Sequence, residues 1–129
     1  MNNFVTDTQA LIKFMRGQKV INDKCHKAFL KADQGENTII IPSIVLAEIM
    51  YLFEKKRIDV NLIQVEELMK SPNYQFEPLS LEIIKIASRI DDIPELHDRL
   101  IAATARYFDL PLITNDPVII KSRHVNVLK

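Results

Sequence analysis

The chain has 129 residues, 17 basic against 17 acidic side chains, 47% hydrophobic residues and a single cysteine. That size and mix fit one globular domain, residues 1–129, with a core that needs no covalent staples. Zero net charge argues against holding nucleic acid by bulk electrostatics alone, and one cysteine excludes an internal disulfide or a cysteine-based zinc site.

The first residues carry no basic segment followed by an apolar run, and no apolar stretch approaches membrane-spanning length, so a cytosolic protein is expected. Residues 4–6 read as a short apolar strand ending at Asp7. A helix over 8–15 follows, with Leu11, Ile12 and Met15 on one side, and Arg16-Gly17 ends it. A second helix covers 21–32 and closes at Gln34-Gly35. Its Cys25 reads as a small buried hydrophobe or a spectator thiol. Cys25 and His26 are a poor nucleophile pair, because adjacent helical residues point about 100° apart.

Residues 38–41 are β-branched and apolar, as in a buried parallel strand. Pro42-Ser43 opens a helix through about Lys55, with Ser43 in the N-cap position. Another helix runs over 60–69 and stops at Ser71-Pro72. Residues 74–77 form a weaker strand, 80–89 a helix, and Pro94 precedes a further helix. Residues 112–114 are a fourth strand, 118–121 a short helical turn, and 125–128 a terminal strand at a sheet edge. Short apolar strands alternating with amphipathic helices imply βαβ units and a parallel sheet. Reactive groups in such folds lie beyond the carboxyl ends of the strands, where Asp7 and Asp116 fall.

Four acids stand out. Asp7 and Asp116 each follow a strand and precede a helix, so each also suits an ordinary cap or turn. On a helical wheel Glu48 falls between Ile44 and Leu52, inside an apolar arc completed by Val45, Ile49 and Phe53. A dry, unpaired carboxylate there costs several kcal/mol. Its bland alternative is an edge position reaching water or a basic partner. Asp98 lies between Ala102 and Ala105, while Arg99 and Arg106 take the solvated sector. The alanines leave room for an ion or a phosphate; the helix dipole alone also favours an acid in a first turn. Taken together, clustered carboxylates repel and take up protons unless a cation sits among them. Oxygen-only ligands favour a hard cation, Mg²⁺ with Mn²⁺ as substitute.

The segments beginning Asp7-Thr8, Pro42-Ser43 through Glu48-Ile49, His97-Asp98-Arg99 through Ala105, and Thr114-Asn115-Asp116 resemble, in order and spacing, the successive motifs of the PIN domain. Within that superfamily the chain is most similar to a VapC-type toxin of a type II toxin–antitoxin pair. The resemblance implies a three-layer α/β/α fold around a central parallel sheet of four to five strands. It implies an Mg²⁺- or Mn²⁺-dependent ribonuclease that leaves a 3′-hydroxyl and a 5′-phosphate. Asp7, Glu48, Asp98 and Asp116 are carried over as catalytic and metal-binding acids, and Thr114 as a hydroxyl helper. Arg99, Lys13 and Arg16 are candidate phosphate contacts, although a solvated helix face accounts better for any one of them. A homodimer and a protein antitoxin lying over the acidic site are implied as partners. Apolar surface at residues 50–53 and 60–69 suits such an interface, and equally suits a core.

Three other readings compete. A phosphoacceptor domain needs a second Asp near Asp7 and a Lys at a late strand end, where this chain has Thr8-Gln9 and Asn115-Asp116. The others are a housekeeping RNA-processing nuclease and a non-catalytic PIN-like binding module.

Overall fold

A computed structural model describes residues 2–129. Four strands, β1 (Asn2–Thr6), β2 (Asn37–Pro42), β3 (Tyr74–Glu77) and β4 (Leu112–Ile113), form one parallel sheet in the order β3-β2-β1-β4. Seven helices complete the described chain: α1 (Thr8–Met15), α2 (Asp23–Asp33), α3 (Ser43–Glu54), α4 (Leu62–Leu68), α5 (Leu81–Ser88), α6 (Leu96–Phe108) and α7 (Pro117–Lys121). They flank the sheet in a three-layer α/β/α arrangement.

β2 is buried along its whole length, which its run of three isoleucines permits. The chain steps outward from β1 to β2 to β3, then returns past β1 to lay down β4. Such crossovers are right-handed in almost all sheets, so the reversal sends α5 and α6 to the face opposite the earlier helices. It also makes a topological switch point between β1 and β4, where a crevice opens beyond the carboxyl ends of the strands. α6 buries six consecutive residues, Leu100 to Ala105. Its alanines allow the close approach that brings the first turn of α6 to that crevice.

Local signals set most boundaries. Gly17 and Gly35 take positive φ, +73° and +80°, and close α1 and α2. Asn61 and Gln64 form a reciprocal capping box on α4, and Ser80 caps α5. Three expectations are corrected. Ser43 is the first helical residue of α3 and not its cap; Pro42 holds the cap position and no side chain bonds there. Phe53 is 43% exposed, so the buried face of α3 is only Val45 and Ile49. The terminal strand reduces to a bridge between Val127 and Leu112, with Leu128 N–H donating to the Leu112 carbonyl at 2.9 Å.

Candidate active site

Asp7 is fixed first by the sheet. Its N–H donates to the Ile113 carbonyl at 3.1 Å, extending the β1–β4 pairing one residue beyond β1. Its side chain then does two jobs. Oδ1 accepts the Ala10 N–H at 2.8 Å and caps α1, while Oδ2 accepts the Thr114 hydroxyl at 2.6 Å. Thr114 also accepts the Asp116 N–H at 3.1 Å, so one buried hydroxyl ties together acids 109 positions apart in number, 7 and 116. Asp116 caps α7 through Oδ1, which accepts from Val118 N–H at 2.8 Å and Ile119 N–H at 3.3 Å.

Glu48 enters from α3. It stands at the border of that helix's buried face, and its Oε1 accepts the Thr8 hydroxyl at 2.6 Å. Asp98 enters from the first turn of α6. Glu95, the cap of that helix, accepts the Asp98 N–H on Oε2 at 2.7 Å and contacts His97 Nδ1 through Oε1 at 2.8 Å.

All four acids line one cavity of about 390 Å³, together with Lys13. Thr8, Gln9, Ile101 and Asn115 complete the wall. Beside it opens an apolar groove of about 460 Å³ walled by Ile44, Ala47, Tyr51, Leu52 and His97, and Glu48 lines both spaces. The other two candidate cations face elsewhere. Arg16 pairs with Asp59 at 3.3 Å, and Arg99 donates to the carbonyls of Ile93 at 2.9 Å and Pro94 at 3.0 Å. Arg99 therefore clamps the loop that leads into α6.

The electrostatics follow from crowding acids in a partly buried space. Burial is the main force raising the Asp7 pKa; the bonds from Thr114 and Ala10 pull it down, and repulsion from Asp116 and Glu48 adds to the rise. Asp98 is pushed up to about 6, first by burial, then by repulsion from Asp116, Glu95 and Glu48, and finally by a side-chain hydrogen bond with Asp116. Among the described residues none of the four forms an ion pair.

The donor set fits a hard divalent cation, because every candidate ligand atom is a carboxylate oxygen and, among the described residues, none is held in an ion pair. The acids ring a cavity instead of converging on a single point. This suits Mg²⁺, which keeps several waters and takes only one or two carboxylates directly. A tighter group of potential ligand atoms, all within 4.8 Å, lies at Asp91, Asp92 and His124. There, however, His124 Nε2 contacts Asp91 at 2.8 Å, and Ser122 and the Arg123 backbone N–H bond Asp92 at 2.8 and 2.9 Å.

Two residues at the site escaped the sequence reading. Thr8 was a helix residue with no assigned partner, and its only signal was a hydroxyl directly after Asp7. Glu95 stands three residues before Asp98, which is the spacing of a helix cap.

The PIN domain family matches residues 4–123 of this sequence. No curated protein matches it. Among solved structures, VapBC2 from Rickettsia felis, bound to a DNA fragment from its promoter, superposes with a TM-score of 0.73 at 20% identity, covering 98% of this chain and 97% of that one. A toxin–antitoxin complex from Klebsiella pneumoniae gives 0.63 at 21% identity, covering 94% and 93%. VapC20 of Mycobacterium tuberculosis, a sarcin–ricin loop cleaving toxin, gives 0.66 at 14% identity, covering 98% and 99%. At these identities the likeness is one of fold.

Proposed function

This chain belongs to the PIN domain family, and from that premise we propose that it is a divalent-metal-dependent endoribonuclease, acting in the cytoplasm as the toxin of a type II toxin–antitoxin pair. The observation that carries the reading is the arrangement of Asp7, Glu48, Asp98 and Asp116. They come from four separate segments to one cavity at the sheet's switch point and, among the described residues, form no ion pair. An acidic space has no use for a phosphodiester unless a cation mediates between them, and the four carboxylates are the groups that would hold one.

A bound Mg²⁺ or Mn²⁺ supplies an acidified water and offsets charge on the phosphorus oxygens. The chain's own residues supply position and proton handling. Thr114 keeps Asp7 Oδ2 in place, and the α1 cap keeps Oδ1. Lys13, on the cavity wall, pairs with a non-bridging phosphate oxygen. Glu48 or Asp98 accepts a proton from the attacking water through a second water. The water oxygen bonds to phosphorus as the bond from phosphorus to the 3′-oxygen breaks, and the departing 3′-oxygen takes a proton from solvent water. The products are a 5′-phosphate and a 3′-hydroxyl.

Partner expectations rest on surface composition and on the similar toxin–antitoxin complexes. Met50, Tyr51, Phe53 and Ile63, on α3 and α4, are exposed apolar side chains that suit a homodimer contact or a docked antitoxin segment. No described helix is long and apolar enough to cross a membrane. A non-catalytic PIN-like module would have no need to keep all four acids in one cavity. A housekeeping nuclease shares the chemistry and differs in its genetic setting: growth arrest on expression, relieved by a neighbouring gene product, identifies the toxin. For the chemistry, Asp7→Asn and Asp98→Asn abolish metal-dependent RNA cleavage and keep the circular dichroism spectrum. Full activity in either variant, or undiminished cleavage in excess EDTA, overturns the proposal.

A further inference from the structure

We propose that Thr8 is a positioning residue for Glu48, its hydroxyl deciding which of two adjoining spaces that carboxylate occupies. The inference rests on the nuclease reading above. Its basis is the 2.6 Å bond from Thr8 Oγ1 to Glu48 Oε1, which joins α1 to α3 across 40 residues of sequence.

Three observations separate this bond from an incidental one. The hydroxyl is not spent on the helix it begins, because Asp7 already caps α1 through Ala10 N–H. Thr8 is only 5% exposed, and at such a position valine fills nearly the same volume without burying a polar group. A buried hydroxyl is tolerated where it has a bond to make, and here the bond goes to Glu48. Finally, Glu48 lines both the acidic cavity and the apolar groove of Ile44, Tyr51 and Leu52, whereas Thr8 lines the acidic cavity alone. A glutamate at that border has two directions open to it. The bond from Thr8 selects the acidic one, holding Oε1 and leaving Oε2 for a ligand or a proton.

The device is the counterpart of Thr114 on Asp7, also 2.6 Å long and also from a buried threonine. Two of the four acids are thus oriented by hydroxyls from other segments. This is how outer groups commonly fix the ligands of a metal site, and their removal costs about 10–100-fold in affinity or activity.

The test uses the full chain with Thr8→Val, Thr8→Ser and Glu48→Ala. Mn²⁺ binding is measured by electron paramagnetic resonance or calorimetry, RNA cleavage in parallel, and folding by circular dichroism. Thr8→Val is expected to weaken Mn²⁺ binding by about 10-fold or more and to slow cleavage, while Thr8→Ser restores both. In the Glu48→Ala background, Thr8→Val adds no further loss, since the two residues act as one unit. Should Thr8→Val fail to fold, Thr8→Ala carries the same expectations. Undiminished Mn²⁺ affinity and cleavage in a folded Thr8→Val protein overturn the inference, as does an additive loss in the double variant. Wild-type protein that neither binds Mn²⁺ nor cleaves RNA overturns the nuclease reading, and this inference with it.

Discussion

The chain gathers carboxylates in two places, and the two groups titrate in opposite directions. In the cavity at the switch point, Asp7 and Asp98 are both raised, by burial first and by neighbouring acids after it. Between α5 and α6, Asp91 and Asp92 are both lowered, Asp91 chiefly by His124 and Asp92 chiefly by the Arg123 backbone N–H. The second cluster is the more compact, yet its charge is already answered by His124, Arg123 and Ser122. The first has Lys13 at its wall and, among the described residues, no ion pair. The two clusters thus differ less in how close their acids lie than in how far the chain's own groups bond and pair with them.

The comparison is most directly broken by activity. Asp7→Asn and Asp98→Asn are expected to reduce metal-dependent RNA cleavage by at least about 10²–10³-fold, the range for losing a group that stabilises a charged transition state. Asp91→Asn leaves the rate unchanged. Equal losses from both clusters in a cleavage assay would remove the distinction.

Thermal melts with and without Mn²⁺ sharpen it next. An ion that binds only the native state stabilises it by about 2.7 kcal/mol at one hundred times its Kd. The wild type and Asp91→Asn show a rise in Tm, and Asp7→Asn and Asp98→Asn do not. In the metal-free state at neutral pH the order inverts, because Asp98→Asn removes a carboxylate that its neighbours repel. It is expected to melt above the wild type, a trade of function for stability.

The pH dependence of the metal-free protein separates the clusters by sign. For Asp98 the folded pKa of about 6 exceeds the ordinary 3.8, so the native state binds the extra proton between those values. Its contribution to stability is greatest below pH 3.8 and is lost as pH rises through about 6. For Asp91 the folded pKa lies below 3.8, so its contribution is present above that value and is lost as pH falls through the folded pKa. Denaturant melts from pH 3 to 8 are expected to show a decline toward neutrality that Asp98→Asn flattens. Asp91→Asn instead removes part of the acid-side loss. A pH profile that neither variant alters would contradict both assignments.

The smallest effect belongs to Arg123→Ala. Its guanidinium lies 3.3 Å from Asp91, but both side chains are largely exposed and water screens the pair. A Tm change within the scatter of replicate melts is expected, and a large drop would show the second cluster to be a structural clasp.

Much of this was legible in the sequence because the deciding interactions are local. A helix after a strand is read from periodicity and caps, which span a few residues. The order of elements was read correctly from β1 to α7, as were the bounds of α1 and β3, while the expected terminal strand reduced to a bridge. The reading failed where one residue had two local uses. Ser43 looked like a cap, but Pro42 takes that place; Phe53 looked like core, but α3 turns it outward. Lys13, Arg16 and Arg99 could not be ranked, since which of them reaches the acids depends on how α1 and α6 are set against the sheet.

By itself, the sequence determined the alternation of strand and helix, the burial of β2, and the placing of acids at strand ends and helix starts, since each follows from patterns a few residues long. Only the tertiary structure decided that Thr114 holds Asp7 and Thr8 holds Glu48, that Arg99 clamps a loop, and that the tighter cluster at Asp91 is neutralised from within. The pairings of Thr114 with Asp7, Thr8 with Glu48 and His124 with Asp91 join residues 33 to 107 positions apart. Closing loops of that length carries an entropy cost that no local pattern records, and only the packed sheet and its crossovers repay it.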